Sequence, residues 1–182
     1  EISSYKFVGG NVTADNMYIG QGELIIANRT EINQDTKVYS NGKLTVAEGG
    51  HLESYGNLSL TDDVTLTLDT DAVLTVSGSL SAEEGVTITN SGVLSADEVS
   101  IAGSMVNEGT LQIAAGGTIG SIEGGTLRAM LNKVGTLKMG SANVSVLQIG
   151  TTGSTVELSE DSVIGTLYST VEGTSLTSTT KL

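Results

Sequence analysis

The chain holds a single histidine, His51, with Glu53 and Ser54 close behind it. An imidazole, a carboxylate and a hydroxyl are the parts of a nucleophilic triad, but only if the fold points them at one another. Adjacent residues of a strand face opposite ways, so closeness along the chain is weak support for a triad. The expectation is an exposed corner histidine, and no catalytic residue is assigned. Acidic pairs recur at Asp62-Asp63, Asp69/Asp71, Glu83-Glu84, Asp97-Glu98 and Glu160-Asp161. Carboxylates gathered from neighbouring passes of the chain can collect calcium or serve as acid and base on a polysaccharide. These pairs do not share the twenty-residue phase well, and the chain lacks a GGxGxD-type repeat that would bind calcium pass by pass. No metal ligand, cofactor or cofactor-binding residue is assigned, and no enzymatic activity is expected. Thr65/Thr67 and Thr87/Thr89 form two stacked Thr-x-Thr pairs of the kind an ice-binding plane would use. Val106, Glu108 and Arg128 end that array after two passes, so alternating strand polarity is the better account.

What must position all of these is a ladder of apolar residues recurring about every twenty positions. One rail runs Leu24, Leu44, Val64, Val86, Met105, Leu127, Val144, Val163. A second runs Val38, Leu58, Leu80, Val99, Ile119, Leu137, Leu158, Leu176. A third runs Val12, Ile32, Leu52, Leu74, Leu94, Leu111 and then blurs through Val134, Ile149 and Leu167. Around each rail, apolar residues alternate with Thr, Ser or Gln, as in Val64-Thr65-Leu66-Thr67-Leu68 and Leu111-Gln112-Ile113. Period two is the pattern of a strand with one face inside and one in water. Turn residues punctuate the runs: Asn41-Gly42, Gly49-Gly50, Gly56-Asn57, Glu84-Gly85, Gly116-Gly117 and Gly124-Gly125.

Three rails with one period predict an all-β chain coiled as a right-handed parallel β-helix, a β-solenoid. It should have about nine coils of roughly 20 residues, with three short strands per coil. Residues 1–182 read as a single solenoid domain, with 173–182 as a frayed end or linker. Loops or bulges are expected at Leu127 to Asn132 and at Ser141 to Ser145, and Tyr5 and Phe7 are expected to pack or cap the first coil. If the rod carries a special binding feature, the loosened stretch from Leu127 onward is where it is expected.

Composition narrows the partners. A net charge of −13, with Arg29 and Arg128 the only arginines, excludes phosphate-backbone recognition and disfavours anionic membrane surfaces. There is no cysteine, so neither disulfides nor thiolate metal sites enter the account. No run approaches the ~20 apolar residues of a spanning helix, so membrane insertion by this stretch is not expected. The repeat is already running at Val12 behind Glu1, which suggests an internal or processed piece of something longer.

The unit Gly-x-Leu-x-(Val/Ile/Ala) stands at Gly42–Val46, Gly78–Ala82, Gly92–Ala96 and Gly109–Ile113, twice leading into Gly-Gly. In this it resembles the passenger repeats of Gram-negative autotransporter adhesins of the self-associating type. The resemblance implies an extracellular structural and adhesive rod on the bacterial cell surface, held to the outer membrane through regions outside this sequence. It implies a protein or glycan ligand on a host or cell surface, or self-association. The alternative is a carbohydrate-active β-helix: a polysaccharide lyase, a hydrolase or a glycan-binding module.

Overall fold

The computed structural model describes residues 4–131, 135–150, 152–169 and 175–178. Among them every regular element is a strand and every pairing is parallel. The chain winds past three faces in fixed order. On the first face the opening rungs are Ser4–Phe7, Glu23–Ile26 and Lys43–Val46. On the second they are Val12–Ala14, Arg29–Ile32 and His51–Ser54. On the third they are Met17–Ile19, Thr36–Val38 and Leu58–Leu60. Among the described residues, following the register upward gives nine rungs per face and so eight turns, a rod about 38 Å long at ~4.8 Å per turn. Each face turns two columns of side chains inward, and these build one continuous apolar core from Met17 to Leu158.

The turns are not of equal length. Leu44 pairs with Leu66 and Leu66 with Ile88, steps of 22 residues. Ile88 then pairs with Met105, and Met105 with Ile122, steps of 17. The rungs keep their size, so the missing residues come from the corners. Corners 69–72, 77–78 and 83–86 of a long coil shrink to Ser91-Gly92, the single residue Asp97, and Ala102-Gly103. Strand pairing then runs almost unbroken around the coil, giving the long strands Val93–Asn107 and Thr110–Glu123.

This change of pitch corrects the rails. Val64 and Val86 are buried, but at corners of the long coils, and the true first-face column is Leu24, Leu44, Leu66, Ile88, Met105, Ile122 and Ala142. Leu127 belongs to the second face, where Leu52, Leu74, Leu94, Leu111, Leu127, Leu147 and Leu167 run without blurring. Ile32 pairs with Ser54, leaving Thr30 beneath Leu52. The second rail mixes two neighbouring columns: Val38, Ile119 and Leu158 stand beside the column of Leu58, Leu80, Val99 and Leu137. Val163 is 65% exposed because it pairs with outward Asn143, while Ile164 stacks on Val144. Leu127–Ala129 falls in the regular rung Thr126–Ala129, with Met130 and Leu131 outside any strand, and 141–145 lies inside the strand Thr136–Ile149 and is no loop. Asn132 and Val134 lie outside the described residues. So do most of 173–182, of which Ser175–Ser178 forms a third-face rung on Thr155–Leu158.

Two glycines carry the tight winding. Gly116-Gly117 sits within a strand, at the start of a third-face rung, with φ of 133° and 129°. A Cβ on Gly117 would strike the carbonyl oxygen of Val99 directly below, so this inward column omits a side chain there.

Candidate functional surface

The second face brings some of the suspected chemistry together and separates the rest. His51 and Glu53 both turn outward, in half-buried positions, whereas Ser54 turns inward and is fully buried. Inside, Ser54 Oγ lies 3.2 Å from Thr36 Oγ1 and donates to the carbonyl of Gln34. The three cannot form a triad. Glu53 instead accepts from Arg29 Nη2 at 3.0 Å, while Arg29 Nε donates to Glu31 at 2.7 Å. The Glu31 hydrogen bond and charge hold the Arg29 guanidinium above its ordinary pKa. Partial desolvation, helped by the Glu53 and Glu31 carboxylates, raises the Tyr55 phenol above 10.0.

The acidic pairs fall at corners, except that Glu98 begins a third-face rung on Ser79. Asp62 and Asp63 both adopt left-handed backbone, with φ of 61° and 55°, at the corner from third face to first. Glu83 donates its N–H to the Leu60 carbonyl, which puts Glu83-Glu84 at that same corner one turn on. The coil step there is 22 residues, so Glu84 falls over Asp62 and the two pairs are offset by one position. Asp69/Asp71 and Asp97 occupy other corners. Among the described residues no three acidic or histidine side chains are grouped to hold a metal ion.

The outward columns are straighter than the sequence suggests. Thr45, Thr67 and Thr89 stack on the first face before Val106. Beside them Thr65 stacks on Thr87, and the column continues through Ser104, Ser121 and Ser141. On the third face one column reads Tyr18, Lys37, Ser59, Ser81, Ser100, Thr118, Lys138. Its floor of small hydroxyls is closed at both ends by long side chains. Lys138 pairs with Glu157 at 3.2 Å.

Along the edge of the third face runs a device invisible to an apolar rail. Asn16 Oδ1 accepts the N–H of Asp35, Asp35 Oδ1 that of Asn57, and Asn57 Oδ1 that of Ser79, at 3.3, 2.9 and 3.0 Å. Each Asn or Asp caps the corner amide of the coil above it, satisfying donors that a bend leaves without a ladder partner. The signal was present as an Asn or Asp immediately before Met17, Thr36 and Leu58. A polar groove of about 560 Å³ opens beside this ladder, and Tyr18, Asp35, Lys37 and Asn57 help line it. It lies near the first coils, at the opposite end of the rod from the stretch beyond Leu127.

No protein-family model matches this chain, no curated protein matches it in sequence, and no solved structure matches it.

Proposed function

We propose that the chain is an extracellular structural and adhesive rod, a surface-exposed passenger module of the self-associating autotransporter type. The observation that carries this reading is the pair of straight hydroxyl columns, Thr65 to Ser141 on the first face and Ser59 to Thr118 on the third. Parallel stacking repeats the same donor and acceptor every ~4.8 Å. Individually weak contacts along such a surface add up to avidity once two rods lie side by side. The core beneath holds the columns straight, so little ordering entropy opposes the contact. Regions outside this sequence would fix the rod to the outer membrane.

Two rods of charge −13 repel each other at low salt, and screening shortens the range of that repulsion. Beads coated with the chain should therefore clump in a dose-dependent way, faster at about 0.5 M than at about 0.05 M salt. Ser100→Lys, which raises a long charged side chain from the third-face column, should slow the clumping. Beads that stay dispersed at both salt levels and bind no bacterial or host cell layer would contradict the proposal.

A further inference from the structure

We infer that the groove at the foot of the third face is a binding site for a neutral glycan, with Tyr18 as its stacking platform. The inference deepens the adhesive reading and rests on it for its biological setting. The chain has six aromatic residues, and Tyr5, Phe7, Tyr18, Tyr39 and Tyr55 all fall within its first 55 positions. Tyr18 is 65% exposed, and it alone is aromatic in an outward column otherwise made of Lys, Ser, Thr and Glu. Its ring lines both the polar groove and an adjoining apolar notch of about 290 Å³ formed with Tyr5, Phe7 and Leu24. An aromatic face with hydrogen-bonding groups on one side suits a pyranose ring, whose C–H edges are apolar and whose rim is hydroxylated.

The polar groups converge on that rim. Ser59 and Ser81 line the groove, and among the described residues their hydroxyls have no side-chain hydrogen bond. Asp35 commits Oδ1 to Asn57, through both N at 2.9 Å and Nδ2 at 3.3 Å, which leaves Oδ2 for a ligand hydroxyl. Lys37 Nζ stands 5.7 Å from the centroid of the Tyr39 ring, a cation–π contact that holds the ammonium at the groove wall. From Tyr18 to Ser81 is three turns, roughly 14 Å, the reach of a short oligosaccharide. Charge chooses among glycans. One ammonium beside one carboxylate leaves the groove locally neutral, and the chain's excess of acid repels uronic-acid or sialylated ligands.

The test is retention on an array of neutral hexose and N-acetylhexosamine oligosaccharides beside a matched set of uronic-acid oligosaccharides. The chain should be retained by neutral members and not by the acidic set. Tyr18→Ala and Ser81→Lys should each weaken retention at least tenfold, with thermal unfolding unchanged because both positions face solvent, while Tyr168→Ala should leave it intact. No retention by any neutral glycan, equal retention in the Tyr18→Ala and Ser81→Lys variants, or preference for the acidic set would overturn the inference. The bead assay separates the two readings. Clumping that survives Tyr18→Ala while glycan retention is absent leaves the adhesive rod standing and removes only this site.

Discussion

The coils between Lys43 and Val86 and those between Thr87 and Glu123 solve the same winding problem with different corners. In the long coils, four-residue corners bulge outward and tuck one apolar side chain, Val64, Ala72 or Val86, back into the core. Left-handed Asp62-Asp63, Asp71 and Gly85 make those bends. In the short coils there is no room for a loop. Asparagines buried at the ends of two first-face rungs take over: Asn90 Nδ2 donates to Asn107 Oδ1 at 2.7 Å and to the Thr110 carbonyl at 2.9 Å. Asn107 in turn donates to the Thr126 carbonyl at 3.2 Å. The contrast shows that faces set the cross-section while corners set the residues per turn. A polar ladder inside can substitute for an apolar corner outside.

That contrast breaks most sharply under insertion. Two residues added after Asp97, a one-residue corner between continuous strands, must push a rung out of register. Unfolding in urea should show a loss above about 4 kcal/mol, or no cooperative transition at all. The same two residues after Glu48, at the tip of an exposed four-residue corner, should cost under about 1 kcal/mol. Asn107→Leu strips the short corner of its buried donor and leaves the Thr126 carbonyl without that partner. A destabilisation of about 3 kcal/mol is expected by the same measurement.

A milder pair compares one corner in both settings. Val64→Ala removes a buried corner side chain and should cost about 2 kcal/mol. Gly103 occupies the corresponding short corner, and a Cβ there would meet nothing within 4 Å, so Gly103→Ala should be neutral or stabilise by about 0.5 kcal/mol. Equal losses at the two sites would mean that the corners do not differ as described.

The smallest effect concerns the charged column of the early coils. Glu31 and Glu53 there give way to Thr75, Ser95 and Gln112 higher up. With its pKa raised on folding, Tyr55 contributes stability that is complete below the ordinary value of 10.0. The contribution fades as pH rises through the raised value. Spectrophotometric titration should show a phenol ionising above 10.0, and Tyr55→Phe should abolish that step.

Much of the fold was legible because alternation names the inward side of each strand without reference to coil length. Leu44-Thr45-Val46, Leu74-Thr75-Val76 and Leu111-Gln112-Ile113 all read correctly for that reason. Register was harder. A single period averages steps of 22 and 17, so it carried Met105 to Leu127 when the true partner is Ile122. Nothing in the alternation reveals this, since Gly, Ser and Asp punctuate one-residue and four-residue corners alike. The outward surface suffered for the same reason. Once Thr87 is matched with a residue twenty positions on, the hydroxyl column through Ser104 and Ser121 vanishes. The groove at Tyr18 was missed because its members come from four successive turns, at spacings of 19 and 22 residues.

The change of pitch is most directly tested by cross-linking, for which a cysteine-free chain is well suited. Stacked neighbours ~4.8 Å apart lie within the Cα separation a disulfide accepts. Thr67→Cys with Thr89→Cys spans a step of 22, and Thr89→Cys with Val106→Cys a step of 17. Both double variants should oxidise to intrachain disulfides in the folded protein and remain reduced when it is unfolded in denaturant. If the first pair closes and the second stays reduced in the folded chain, the short coils do not exist as described.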